Sequence, residues 1–332
     1  MDIKAAEQLV VTWAKEYRHE LGLQGSNIEA SYIWNPGGFV NQSYRLSDGE
    51  TIRHVKFVQE RKTPHLQQWA LLSDHLTDRY HAPRLVQEVT QEVLPGYPYG
   101  LVFEFIDGMP LSAITDPTPM IPKVLRMLHQ LHNDSQIQDV IASECVLSYA
   151  EALAEEYITR FEEDLEGIRA ERHLLTFVTD QTLGWFDAEL AVLRQLAQEM
   201  PCFQKQATDV VHNDINWQNI LANDNHDLWL IDWDDLTVTG DAAMDYSVLL
   251  WPLYRKPEWP FWQEQVIGLA GKEVYERMEL YFRFKLFDDV VDVLADFVEA
   301  ETMTDVKEKT QKRAKEIHLR AYPEYLELYG SV

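Results

Sequence analysis

The chain has 332 residues, 46% hydrophobic and 25% charged, so it is globular and long enough for two cores. A formal net charge of −26 works against nucleic-acid binding, and only two cysteines, Cys145 and Cys202, exclude a disulfide scaffold or a cysteine metal cluster and suit a reducing cytoplasm. No apolar run reaches the ~18 residues of a membrane span, and Met1 to Glu7 lack the basic-then-apolar pattern of a secretion signal.

In chain order, helical spacing of Ile3, Ala6, Leu9, Val10, Trp13, Tyr17 and Leu21 predicts a first helix over 3–21, ended by Gly22. Short apolar runs through Phe57-Val58, cut by Pro36-Gly37-Gly38 and Asp48-Gly49, predict antiparallel strands with a hairpin turn at 47–50. A helix over 64–80 and strands over 84–89 and 99–105 follow. Beyond Asp107-Gly108 the texture is helical: Lys123–His132, Ser148–Arg172, Trp185–Met200 and most of Asp241–Tyr329. A β-like stretch interrupts it at 210–211, 219–221 and 228–231. The expected fold class is α+β, with a small N-terminal antiparallel sheet lobe (1–105, nucleotide-binding) and a larger, mainly helical lobe (106–332, catalytic and substrate-binding). Charge divides unevenly between them, −3 against −23, so the second part suits a cationic partner, and solubility alone is the plainer explanation.

The chemistry concentrates in 210–245, V-V-H-N-D-I-N-W-Q-N-I-L, then L-I-D-W-D-D, then G-D-A-A-M-D. Asp214, Asn219 and Asp232 stand out from apolar flanks, and a hairpin at 223–227 would return Asp232 beside Asn219. One carboxylate and one amide oxygen, completed by phosphate oxygens and water, form the hard-oxygen set magnesium prefers. Asp214 is left to accept a proton from a hydroxyl. Upstream, Gly37 and Gly38 sit in a turn where backbone N–H groups can approach phosphate. Lys56, flanked by apolar residues, needs an anionic partner, which a nucleotide α/β-phosphate supplies.

H-N-D-I-N-W-Q-N, I-D-W-D and G-D-A-A-M-D, with Lys56 and Pro36-Gly37-Gly38 ahead, resemble the aminoglycoside phosphotransferase and choline kinase superfamily over about residues 30–250. The resemblance implies a bilobal, protein-kinase-like fold. It implies Asp214 as catalytic base, Asn219 and Asp232 as magnesium ligands, Lys56 on the phosphates, and a hinge strand at 103–106 whose Glu104 and Ile106 backbone reads adenine. It assigns Asp241 and Asp245 structural work. Two positions depart from the family: Asn213 replaces a glycine, which asparagine's tolerance of left-handed geometry allows, and no helix glutamate is present to pair with Lys56. Within the helix at 64–80 only Gln67 or Gln68 stands at a suitable spacing, and Glu60, though in sequence reach, lies too near Lys56.

The expected activity is transfer of the γ-phosphoryl group of Mg-ATP, or GTP, to a hydroxyl of a small cationic molecule such as an aminoglycoside, amino sugar or choline-like alcohol. No nucleic-acid or membrane partner is expected, and the sequence leaves the oligomeric state open. Trp217, Trp251 and Asp288 are candidates for the acceptor side, set against ordinary packing of an aromatic-rich helical region. The alternative is a nucleotide-binding pseudokinase without turnover, which the missing helix acid favours and the intact Asp214, Asn219 and Asp232 oppose. Only eight residues separate Asp232 from Asp241, too few for a protein kinase's activation loop. His212 is expected to brace the catalytic loop by a hydrogen bond, His129 and His132 to be a helix-end packing feature and not a metal pair, and Asp234 and Asp235 to be solvated or loop-bracing.

Overall fold

A computed structural model describes residues 2–34, 41–141, 145–303 and 305–330. In chain order these form α1 (Ile3–Glu16), β1 (Glu29–Tyr32), β2 (Asn41–Ser47), β3 (Ile52–Val58), α2 (Thr63–Tyr80), β4 (Leu85–Val89), β5 (Tyr99–Glu104) and β6 (Met109–Pro110). There follow α3 (Ile121–His132), α4 (Ser135–Ile141), α5 (Tyr149–Leu153), α6 (Thr159–Ala170), α7 (Asp180–Glu199), β7 (Asp209–Val211), β8 (Ile220–Ala222), β9 (Leu228–Leu230) and β10 (Thr237–Gly240). The chain closes with α8 (Ala242–Leu250), α9 (Trp259–Ala270), α10 (Lys272–Glu299) and α11 (Lys307–Tyr329). Among the described residues no helix is long and apolar enough to cross a membrane.

These elements pack as two compact units. The first takes in Met1–Met127, Asp139–Ile141 and Asp214–Leu236, and the second Leu128–Gln138, Ala142–Asn213 and Thr237–Val332. The segment 214–236 thus packs with the N-terminal residues, an association that a single cut at 105–106 does not describe.

In the first unit five antiparallel strands run in the order β1-β2-β3-β5-β4. Strand alternation sends Val55 and Phe57 to one face, where they join Ala6, Val10, Trp13 and Ala14 of α1 in a buried cluster. The same alternation sends His54 and Lys56 to the other face, the side of Phe103 and of Trp69 on α2. Trp69 stacks on Phe103 with ring centroids 4.4 Å apart, fixing α2 on the sheet. The β2–β3 hairpin turns at Gly49, whose φ of +95° suits glycine. Helix α1 stops at Glu16, short of residue 21: the chain leaves helical geometry through Tyr17, and Gly22 sits at φ +67°. Leu21 is still buried, which is why its spacing reads as helical. A three-stranded sheet, β6-β8-β9, completes this unit.

The second unit is helical around α10, which carries buried Met278, Tyr281, Phe282, Phe284, Phe287, Val290 and Leu294 against α6, α8, α9 and α11. The sequence predicts one helix over 148–172. The structure starts it with a capping box, Ser148 with Glu151, but widens it to a π-turn at Ala154–Ile158 between α5 and α6. Leu153, Tyr157, Ile158 and Phe161 are all buried across that turn. In the β7–β10 pair, Gly240 lies so close to Val211 that a Cβ there would fall 2.0 Å from its Cγ2.

Candidate active site

Strand β3 delivers Lys56 into a buried position with 4% of its side chain exposed. Its ammonium pairs with Asp232 Oδ1 and, at 2.8 Å, with Asp234 Oδ1. Burial alone would discharge this lysine, but the two carboxylates outweigh it and hold its pKa above the ordinary lysine value. Burial likewise works to raise the Asp234 carboxyl, and Lys56 overcomes this and holds it below the usual aspartate range. Burial, then the charge of Asp234, pushes Asp232 the other way. Beside them burial and the charge of Lys56 lower the His54 pKa to about 4, so that ring is neutral at pH 7.

Asp234 is more than loop bracing. Only 4% exposed, it also accepts from Asn41 Nδ2 at 3.1 Å. Helix α2 grips the backbone on both sides: His65 Nδ1 bonds the Asp234 carbonyl at 2.9 Å and Gln68 Nε2 donates to the Leu236 carbonyl at 2.6 Å. Lys62 pairs with Asp235 at 2.6 Å. Reading the sequence alone missed this bracket. Its one local trace is the absence of a helix acid near a buried lysine, which obliges a carboxylate to arrive from elsewhere.

The loop after β7 is built from below by Asp245. Fully buried, this carboxylate accepts the His212 and Asn213 backbone N–H groups at 2.9 Å each and meets His132 Nε2 at 3.0 Å. Asp241 caps α8 by accepting from the Ala243 N–H and is clasped by Arg277. Asn213 has φ +67°, a left-handed geometry that asparagine tolerates.

In the first unit, Asp214 accepts from Asn216 Nδ2 at 2.6 Å and from Asn219 Nδ2 at 2.7 Å. The Asn219 amide also donates to the Asp214 carbonyl at 2.8 Å. With its nitrogen so occupied, Asn219 offers its amide oxygen as the end available to a cation. The β8–β9 hairpin bonds the Ile231 N–H to the Asn219 carbonyl at 3.0 Å, bringing Asp232 alongside as the sequence anticipates. Asp232 sits at φ +69° with about a quarter of its side chain exposed. Lys56, Asp214, Asn219 and Asp232 are therefore joined by one chain of contacts. Among the described residues no three His, Cys, Asp or Glu side chains gather into a metal cage. A pair of oxygen donors completed by phosphates and water is the habit of magnesium, and the Asn219 and Asp232 oxygens fit it.

The other expected residues are placed as follows. Glu104 ends β5, with its side chain exposed, its backbone N–H on the Arg84 carbonyl and Ile106 two residues beyond. Trp217 lies in the loop after Asp214, and its carbonyl meets the Ser112 N–H. Trp251 and Asp288 belong to the helical unit. Trp251 stacks with Tyr254 and Phe282, whose own rings are 4.0 Å apart, and Asp288 is buried between Arg160 and Lys285. Gly37 and Gly38 lie outside the described residues.

The site and the two-unit α+β architecture define a protein-kinase-like phosphotransferase fold. The sequence matches the phosphotransferase enzyme family (APH) over residues 34–281, and the chain belongs to that family. Among solved structures it is similar to the GDP and kanamycin complex of APH(2")-IIia, with TM-score 0.63 and 13% identity over 95% of this chain and 99% of that one. It is also similar to spectinomycin phosphotransferase APH(9)-Ia with ADP and spectinomycin (TM-score 0.59, 15% identity, 95% and 98% covered). A third is choline kinase LicA from Streptococcus pneumoniae (TM-score 0.57, 16% identity, 94% and 99% covered).

Proposed function

We propose that this phosphotransferase moves the γ-phosphoryl group of ATP, or of GTP, to a hydroxyl of a small cationic molecule. The observation that carries the reading is the contact chain Lys56–Asp232, Ile231–Asn219, Asn219–Asp214, which supports reading these residues as a phosphate-facing cation, a metal-ligand pair and a base. Lys56 presents a permanent positive charge to nucleotide phosphates. The Glu104 carbonyl and Ile106 N–H at the end of β5 are the backbone groups for the base. Asn219 and Asp232 would hold magnesium, which when bound neutralises phosphate charge. Asp214, oriented by Asn216 and Asn219, accepts the proton of the attacking hydroxyl. The solved relatives above carry GDP in one case and ADP in another, so both nucleotides belong in the assay.

The acceptor is read from charge: residues 106–332 carry −23, which raises the local concentration of a cation. Trp217, in the loop that bears Asp214, is the acceptor contact to test first, with Trp251 and Asp288 after it. The test is Mg-dependent nucleotide consumption with aminoglycosides, choline, ethanolamine, amino sugars, neutral sugars and nucleosides. Turnover with a cationic class should fall roughly 10²–10⁴-fold in Asp214→Ala. Undiminished turnover in that variant overturns the mechanism, and preference for a neutral sugar overturns the charge argument. Nucleotide binding with no turnover on any acceptor would return the pseudokinase reading.

A further inference from the structure

We infer that Asp234 is the standing counter-ion that positions Lys56 for the nucleotide, doing from the loop after β9 the work a helix acid would do from α2. The inference rests on the proposed function and deepens it. Lys56 has two carboxylate partners, and they are not equivalent. Asp232 stands at the more exposed of the two positions, one residue beyond the Ile231–Asn219 backbone bond, and is the one a metal ion would recruit. Once it turns to a cation, Lys56 would be a buried ammonium with no anion on the protein side, a costly state. Asp234 prevents that.

Asp234 is buried and fixed at several points: Asn41 holds the carboxylate oxygen that Lys56 does not use, while His65 and Gln68 of α2 hold the main chain at 234 and 236. Helix α2 carries no glutamate over 63–80, and its one acid pair, Asp74 and Asp78, stands in the C-terminal half, more than a turn beyond Trp69 where Lys56 lies. It offers no carboxylate at 65–69 and instead donates hydrogen bonds to the segment that does. With its two oxygens taken by Lys56 and Asn41, Asp234 is a positioning residue acting through Lys56.

The experiment is calorimetric titration of the full chain with Mg-ADP, together with melting temperatures, for the wild type, Asp234→Asn, Asp234→Glu and Gln68→Ala. Asp234→Asn should weaken Mg-ADP binding about tenfold, with part of the loss regained in Asp234→Glu, because the charge acts through Lys56. A purely structural Asp234 would lower the melting temperature and leave the affinity of the folded protein unchanged, and that result overturns the inference. If Asp234→Asn does not fold, Gln68→Ala decides. Releasing the Leu236 carbonyl should weaken Mg-ADP binding about threefold, and unchanged affinity overturns the inference. Failure of the wild type to bind Mg-ADP is a separate result that removes the proposed function, and this inference with it.

Discussion

At the residue scale, Asp245 shows how one carboxylate can hold a loop. Itself fully buried, it accepts two consecutive backbone N–H groups and faces the buried His132. Replacing it with alanine strands one buried and one half-buried donor and the buried His132, so Asp245→Ala should lower the unfolding free energy by about 3 kcal/mol, read from urea denaturation. Asn213 and Asp245 were marked in the sequence by the family resemblance, one as an asparagine standing for a glycine, the other as an acidic position given structural work. The partner of Lys56 was not, since Asp232 and Asp234 lie 176 and 178 positions away and no periodicity reports a contact of that range. The absence of a helix acid was visible, but not what replaced it.

At the scale of elements, α6 and α10 meet through more carboxylates than cations. Asp164 on α6 is raised to about 7 by burial, then by Asp292, with Asp288 and Glu299 adding to it and Arg160 opposing. Asp296 on α10 is likewise raised to about 7 by burial and then by Asp292. A carboxyl whose folded pKa lies above its unfolded value of ~4 binds more protons in the folded state, so its contribution to stability is lost as pH rises from about 4 to 7. The neutral, half-buried His54 works oppositely over part of that range, so the variant must be compared with the wild type. Relative to wild type, Asp164→Asn should gain on the order of 1–2 kcal/mol between pH 5 and pH 7.5, read as the change in the difference between their unfolding free energies. Element type was largely readable from periodicity. The π-turn at 154–158 was not, because its extra residue preserves burial on both sides and leaves the apolar pattern intact.

At the scale of the molecule, a charge of −26 on 332 residues makes self-repulsion a standing cost to the folded state. Raising sodium chloride from 20 mM to 0.5 M shortens the Debye length several-fold and should raise the melting temperature by about 5 °C. A melting temperature that falls over the same range would mean that paired surface charges outweigh the net charge. The succession of strands then helices gave the fold class from the sequence. It could not show that 214–236 packs with the first 127 residues, because that association is made by tertiary contacts and not by chain order.

The bracket around Asp234 bears on how such an enzyme can be regulated. Protein kinases gate activity by moving a helix whose acid completes the lysine pair, so displacing the helix breaks the pair. Here the acid lies in the same four-residue run as the metal-ligand candidate Asp232, and α2 contributes a ring nitrogen, an amide and the Trp69 ring, but no carboxylate. Moving α2 would therefore reach the lysine pair indirectly, by releasing the carbonyls of Asp234 and Leu236, and not by withdrawing an acid. If Asp234 holds Lys56 as inferred, α2 is released from keeping an acid at a fixed turn, and its sequence there is constrained only to donate to the loop after β9.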